Sequence, residues 1–139
     1  MKKPAADLTR MSMDLSRFLR RTMEQGLGDV NILRLHALVI IEEQGELTMT
    51  DFAATMNISP SSATEFADRL IKCGYIARVT DAGNRRKVLI TLTPLGRTIV
   101  RKGRARKEKL LSTMFSALSS KDRAHLQRIF GLLLQKHIS

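Results

Sequence analysis

The fold of this chain is decided by residues 47–74, which read LTMTDFAATMNISPSSATEFADRLIKCG. Thr48 stands three residues before an acid, a capping-box spacing that predicts the start of a short helix. Asn57 readily adopts the left-handed conformation that ends such a helix. Ser59 followed by Pro60 then predicts a second helix, which a glycine ends. Two helices joined by about three residues are typical of a helix-turn-helix.

The second helix of this pair has two different faces. Apolar residues at helical spacing predict its buried side, namely Ala63, Phe66, Ala67, Leu70 and Ile71. The other side, near the helix start, carries hydroxyl groups and one carboxylate, from Ser61, Ser62, Thr64 and Glu65. Small hydroxyl side chains enter a major groove without clashing and hydrogen-bond base edges or phosphates. We therefore expect this side to face duplex DNA.

A β-hairpin is predicted directly after the helix pair. The apolar residues now alternate, which predicts strands at 75–79 and 88–92. The segment 80–87 between them is rich in turn formers and ends in three consecutive cations, Arg85, Arg86 and Lys87. A hairpin in this position is a wing, and its cations are expected to reach phosphates or a minor groove. An ordinary solvated hairpin tip is the alternative interpretation.

Two helices are predicted before the core segment. Residues 5–25 carry one apolar stripe, expected to be buried, and Gly26 with Gly28 then breaks the helix. The helix through residues 32–41 is apolar on most sides and should therefore be central. Gly45 fits its left-handed C-terminal cap.

Two further helices are predicted after the hairpin. Thr93 and Pro94 repeat the cap-then-proline pattern and open a long helix, cationic in its first half, to about residue 118. A second capping box, beginning at Ser119, opens the last helix. The apolar stripes of the terminal helices have no third partner within so small a chain. A second copy of the protein is therefore expected to cover them.

The positive charge is concentrated in one stretch of the chain. The formal net charge is +11, and residues 69–109 contain thirteen Lys and Arg against only Asp81 and Glu108, so this stretch accounts for the whole excess. One localised patch is typical of a surface that binds a polyanion, either nucleic acid or an anionic membrane. Aromatic residues make up only 4% of the chain, which argues against a single-strand binder that stacks bases.

The composition argues against several other classes. One cysteine, Cys73, excludes an internal disulfide framework and is too few for a structural zinc site. No apolar run approaches the ~20 residues of a membrane span, and residues 1–14 lack a signal-peptide core, so a cytoplasmic protein is expected. The sequence has no phosphate-cradling glycine loop, nucleophile elbow or paired acids in a cleft-like context. We therefore expect no enzyme activity, no cofactor and no metal.

Several side chains have both a functional and a structural interpretation. Cys73 is expected to be packed rather than a redox switch, because the chain has no resolving cysteine. The histidines form no close ligand pair, so His36 is expected to be partly buried or at an interface. Glu42 and Glu43 are expected to form a solvated helix end. Core filling, rather than a pocket lining, is expected for most of five methionines, Met11, Met13, Met49, Met56 and Met114.

The chain resembles the MarR family of winged-helix transcriptional regulators over nearly its whole length. An ordered set of motifs carries the resemblance: Leu47 with Thr48, then Ser59–Thr64, Asp68–Leu70, Gly74–Arg78, Arg85–Arg97 and Leu118–Asp122. The resemblance implies a mainly α fold with a small β wing. It divides the single unit of residues 1–139 into a winged helix-turn-helix at 30–93 and dimerisation helices at 5–26 and 94–139.

The resemblance also implies how the protein acts. Relatives form homodimers on pseudo-palindromic duplex DNA, with one recognition helix per half-site, and a repressor is expected. Many lose DNA affinity when a small phenolic or anionic effector binds between the dimerisation helices and the winged helix. The residues expected to contact DNA, with Arg86 as the wing arginine, are Thr50, Ser59, Ser61, Ser62, Thr64, Glu65, Arg69, Arg85, Arg86, Lys87 and Arg97.

Two positions depart from the family pattern. Relatives usually carry an Asp two residues before the wing arginine, and this Asp orients the arginine. This chain has Asn84 at that position. Either Asn84 or Asp81 is then left to orient Arg86. Glu65 stands where relatives more often carry a neutral or basic residue. Its carboxylate is costly near phosphates unless it accepts from a cytosine amino group or from Arg69, one helical turn on.

Two other functions are compatible with the same motifs. A non-specific architectural or RNA-associated protein would bind random duplex or structured RNA nearly as well as any chosen site. A winged helix used only for protein interaction would bind nucleic acid negligibly near physiological salt, and the concentrated charge disfavours it. The leading prediction is a sequence-specific DNA-binding regulator.

Overall fold

The computed structural model describes residues 5–25, 27–28 and 30–137. Gly26, Ile138 and Ser139, which fall in the predicted segments, lie outside these residues. The described part forms six helices and three strands: α1 (Ala6–Glu24), α2 (Ile32–Gln44), β1 (Glu46–Thr48), α3 (Met49–Met56), α4 (Pro60–Lys72), β2 (Ile76–Asp81), β3 (Asn84–Leu92), α5 (Pro94–Ser116) and α6 (Ser120–His137). The predicted fold class is confirmed. No described helix is both long and apolar enough to span a membrane.

The chain divides into two compact units, Met1–Arg104 and Ala105–Ser139. Helix α2 is central in the first unit, as its apolar sequence predicts, because Leu38 and Ile41 are fully buried. They share one hydrophobic core with residues of α3, α4, β3 and α5, including Phe52, Leu70, Ile90 and Val100. Removing this apolar surface from water is the main contribution that stabilises the unit.

A short strand that was not predicted follows α2. Gly45 ends α2 with φ +78° and ψ −72°, so the predicted left-handed helical cap is wrong, although the positive φ still favours glycine. The chain then turns directly into β1, where Leu47 pairs with Ile90 of β3. Three residues are too few for an alternating pattern to be visible in the sequence, so pairing with β3 defines this strand.

The hairpin of β2 and β3 has longer strands and a shorter turn than predicted. The antiparallel sheet has the order β1-β3-β2, and only two residues separate β2 from β3. Asp81 Oδ1 accepts the N–H of Gly83 (3.2 Å). Asn84 Oδ1 accepts the N–H of Arg86 (3.1 Å). Because these side chains close the turn early, the predicted long tip is wrong, and the three cations belong to strand β3.

Among the described residues, most of the α1 stripe is not buried as predicted. Met23 is the buried residue of α1. Four apolar residues of the stripe are between 45% and 67% exposed, namely Leu8, Met11, Leu15 and Phe18. Helical spacing shows which face is apolar but not whether the same chain covers it.

Three expectations about single side chains are also resolved. Cys73 is exposed at the C-terminal cap of α4, so its interpretation as a packed thiol is wrong. His36 is exposed, so its partly buried interpretation is wrong, and its place at an interface stays a prediction. Met49 and Met56 pack against the core, as expected, whereas Met11 and Met13 of α1 are exposed. Spacing along a helix does not show whether another element covers a given side chain, so it could not predict these exposures.

The second unit contains the end of α5 and helix α6. Phe115 and Phe130 meet edge to face, with ring centroids 6.4 Å apart. Ser119 Oγ accepts the N–H of Asp122 (3.1 Å), which confirms the predicted start of the last helix. Within the described residues of α6 no side chain is buried, so its apolar stripe is exposed in the single chain.

Candidate nucleic-acid interface

The helix-turn-helix forms by local capping, as the sequence predicts. Thr48 Oγ1 accepts the N–H of Asp51 (3.1 Å) at the start of α3. Asn57 ends that helix in the left-handed conformation, with φ 55° and ψ 48°. Phe52 of α3 stacks on Phe66 of α4, with ring centroids 6.2 Å apart. The caps at Thr48 and Asn57 therefore define where α3 begins and ends, and the Phe52–Phe66 contact packs α3 against α4.

Helix α4 buries one side and exposes the other. Ala63, Ala67 and Leu70 are fully buried, as predicted. The four residues expected to face DNA are all exposed in the first turns of the helix: Ser61, Ser62, Thr64 and Glu65. The structure thus brings them onto one accessible surface, which we call the α4 face.

The hydroxyl groups of the α4 face are bonded to the capping residue Ser59 and to the helix backbone. Ser59 Oγ accepts the N–H of Ser62 (3.1 Å), donates to Ser62 Oγ (2.9 Å) and lies 3.2 Å from Ser61 Oγ. Thr64 Oγ1 donates to the carbonyl oxygen of Pro60 (3.0 Å). Each hydroxyl has two lone pairs besides its proton, so the group retains acceptor capacity for a ligand.

The carboxylate of the α4 face is paired. Glu65 Oε1 lies 2.6 Å from Arg69 Nη2, one helical turn further along α4. The two side chains are 69% and 64% exposed, respectively, so both remain accessible from solvent. Of the two partners expected for Glu65, the free chain therefore provides Arg69.

The wing presents three exposed cations, Arg85, Arg86 and Lys87. None of them forms a salt bridge with another described residue, so their charge is available to a ligand. Asn84, not Asp81, contacts Arg86, but it accepts from the backbone N–H and not from the guanidinium group. Asp81 instead accepts from the turn backbone. The wing arginine is thus placed by its backbone, while its side chain stays free of a carboxylate partner in the described structure.

An ion pair that was not predicted joins the recognition helix to the wing. Asp68 Oδ1 of α4 accepts a hydrogen bond from Arg78 Nη2 of β2. Ten residues separate the pair in the sequence, which is outside any helical or strand spacing. It orients the hairpin relative to the α4 face.

The remaining expected site residues lie on other elements. Thr50 is exposed in the first turn of α3. Arg97 donates from Nη1 to the carbonyl oxygen of Leu92 (3.2 Å), which holds its side chain at the base of the wing. Glu42 lies 2.8 Å from Arg104 of α5, so the expectation of a simply solvated helix end is wrong for Glu42. Because Glu42 and Arg104 lie on different helices, far apart in the chain, no local spacing predicts their ion pair.

Comparison with known proteins places the chain in a family. The MarR family model matches residues 30–88. The chain is 30% identical over 106 residues to the uncharacterized HTH-type transcriptional regulator YwhA of Bacillus subtilis, and the match covers 76% of each protein. The crystal structure of RV1404 from Mycobacterium tuberculosis has a TM-score of 0.83 at 21% identity, covering 99% of this chain and 97% of that one. A mutant of E. coli MarR complexed with operator DNA has a TM-score of 0.67 at 19% identity, covering 96% and 99%.

These findings agree with the site described above. The solved structures share the fold, and the family model spans most of the helix-turn-helix and wing, where the α4 face and the three wing cations lie. The relative at 30% identity is itself described as a helix-turn-helix transcriptional regulator. The chain therefore belongs to the MarR family of winged-helix, DNA-binding transcriptional regulators.

Proposed function

We propose that this protein is a homodimeric, cytoplasmic repressor that recognises a pseudo-palindromic operator in duplex DNA. The observation that carries the proposal is the α4 face, where hydroxyl groups and one carboxylate are exposed on a helix whose other side packs into the core. An ion pair joins this helix to a wing with three exposed cations. A relative of the same fold is described as complexed with operator DNA.

In this proposal the contacts to DNA have two roles. Residues 30–93 form the DNA-binding region, in which four side chains of the α4 face read base edges. Phosphate contacts fix the position of the protein and supply most of the affinity, and they come from Thr50, Ser59, Arg69, Arg85, Arg86, Lys87 and Arg97. Base readout then distinguishes an operator from random duplex.

The exposed apolar stripes support the homodimer. In α1, Leu8 and Phe18 are 67% and 52% exposed, and in α6, Phe130 and Leu134 are 46% and 54% exposed. Two stripes of this size are unfavourable in water. We propose that residues 5–26 and 94–139 of two copies bury them against each other.

Selection of bound duplexes from a random pool, at physiological salt, tests the proposal. We expect enrichment of an inverted repeat with half-site centres about one helical turn apart, because a two-fold dimer places its recognition helices in successive major grooves. A bound pool without an enriched sequence would favour the architectural alternative. No bound pool at all would leave only a protein-interaction module.

A small anionic effector is also part of the proposal. Three guanidinium groups, from Arg97, Arg101 and Arg104, line an open pocket on α5 together with Glu42, Pro94 and Thr98. An anionic or phenolic ligand there would compete with Glu42 for Arg104 and shift α5 relative to α2. Adding sodium salicylate to the operator complex tests this, with sodium benzenesulfonate and sodium chloride as ionic controls. Release by salicylate alone supports a phenolic effector, release by both aromatic anions supports an anionic one, and release by neither contradicts the effector.

A further inference from the structure

We propose that Glu65 specifies a cytosine, and therefore a C·G base pair, at one position of each half-site. Arg69 acts as the positioning residue for the Glu65 carboxylate. The inference rests on the proposed function, since it identifies which base the α4 face selects. It is carried by the chemistry and the pairing of Glu65 in the structure.

Glu65 differs chemically from its neighbours on the α4 face. Serine and threonine hydroxyls can donate or accept, so they tolerate several base edges. An ionised carboxylate can only accept, so it requires a base edge that donates. Of the four exposed residues, Glu65 is therefore compatible with the fewest base edges, because its partner must be a hydrogen-bond donor.

The major groove offers this carboxylate one suitable partner. The cytosine edge presents the N4 amino donor, whereas guanine presents the N7 and O6 acceptors and thymine the O4 acceptor. Adenine has an N6 donor, but its N7 acceptor lies beside it and repels a carboxylate. The expected order of preference at this position is cytosine, then adenine, with guanine and thymine disfavoured.

The pair with Arg69 makes a carboxylate tolerable near phosphates. Arg69 Nη2 lies 2.6 Å from Glu65 Oε1, and no described contact uses Oε2, so that oxygen can accept from a cytosine amino group. The cation offsets the repulsion between Glu65 and the DNA backbone and restricts the carboxylate rotamers. Both side chains are more than 60% exposed, so nothing in the described chain blocks a base edge.

The test compares duplex selection for the wild type, Glu65→Gln and the charge-matched control Glu43→Gln. Glu43 is exposed on α2 and not on the recognition helix. For the wild type and the control we expect cytosine at one position of each half-site, with a preference over guanine or thymine of roughly 5- to 100-fold. In Glu65→Gln the amide can donate and accept, so the cytosine preference should be lost in favour of adenine or of no preference.

Affinity for random duplex provides a second, independent readout. Glu65→Gln removes a negative charge from the DNA-facing side, so it should bind random duplex more tightly while it discriminates less. Replacing the positioning residue, Arg69→Ala, should weaken binding to every sequence and reduce the cytosine preference without reversing it. Circular dichroism of each variant checks that the total helix content is unchanged.

The outcomes separate this inference from the proposed function. An enriched inverted repeat without a cytosine preference, or a preference that survives Glu65→Gln, overturns the role of Glu65 and leaves the DNA-binding function standing. Failure of the wild type to enrich any sequence overturns the proposed function itself.

Discussion

Arg86 shows how one side chain is placed for DNA binding without a carboxylate partner. Asn84 accepts from its backbone N–H (3.1 Å), which fixes the strand, while the guanidinium group remains exposed. An uncompensated cation on a wing interacts with phosphates regardless of sequence. Because Asn84 replaces the Asp that relatives usually carry at this position, the wing has one negative charge fewer and a higher net positive charge.

Arg86→Ala should weaken binding to all duplexes alike. The slope of log affinity against log salt should fall in magnitude by about one phosphate contact, because one fewer counterion is released. Fluorescence anisotropy at several salt concentrations measures both quantities, with Lys121→Ala, on α6, as the charge-matched control. Unchanged affinity and slope in Arg86→Ala would show that the wing does not contact DNA.

Gly96 is required by a close approach at the base of the wing. Thr93 N–H donates to the carbonyl oxygen of Tyr75 (3.0 Å), and Gly96 N–H donates to Thr93 Oγ1 (3.0 Å). A Cβ at position 96 would lie 2.1 Å from the same Tyr75 oxygen. The first turn of α5 therefore fits against the start of the hairpin only without a side chain.

Gly96→Ala should destabilise the protein by about 2–4 kcal/mol, because backbone must move to relieve the contact. Thermal unfolding should show this as a Tm lower by roughly 10 °C. Gly83→Ala is the matched control, since Gly83 lacks a positive φ and the nearest atom to its Cβ would be 3.9 Å away. Equal Tm changes in the two variants would contradict the close approach.

At the scale of elements, Ser59 determines where the recognition helix begins. Its side chain accepts the N–H of Ser62 and also contacts the hydroxyl of Ser61, and Pro60 occupies the first turn. A cap and a proline together fix both the start of the helix and the residues its first turn presents.

Ser59→Ala should cost about 1 kcal/mol of unfolding free energy, since the capping hydrogen bond is lost. Ser59→Asp should keep the stability, because its carboxylate accepts the same N–H, but it should weaken DNA binding by placing a negative charge near phosphates. Urea unfolding and anisotropy measure the two effects separately. If Ser59→Asp is as unstable as Ser59→Ala, the cap does not stabilise α4.

At the scale of the whole molecule, the question is what covers the apolar stripes of α1 and α6. Phe18 and Leu133 are 52% and 51% exposed in the single chain. If a second copy buries them, a charge at either position is desolvated and destabilises the dimer.

Phe18→Glu and Leu133→Glu should each dissociate the dimer and reduce operator affinity, because two half-sites are no longer bound together. Sedimentation velocity should give the wild type at twice 15.6 kDa and the variants at 15.6 kDa. Val88→Glu replaces an apolar residue of the wing that is 43% exposed and should leave the mass unchanged. A wild type at the monomer mass would contradict the homodimer.

Residue types alone predict those features of this protein that depend on neighbouring residues. The caps at Thr48, Asn57 and Ser59 act over at most a few positions, so their residue types predict the helix-turn-helix correctly. The central position of α2 follows from its apolar sides, and the Glu65–Arg69 pair follows from helical spacing. The concentration of positive charge is likewise a property of the sequence alone.

Tertiary structure decided everything that joins residues far apart in the chain. Strand β1 exists because Leu47 pairs with Ile90, which lies beyond α3, α4 and β2 in the chain. The pairs Asp68–Arg78 and Glu42–Arg104 bring together charges from different elements. Such contacts depend on the directions in which whole elements pack, and no local pattern encodes those directions. Whether an apolar stripe is buried depends on what packs against it, which spacing along one helix does not specify.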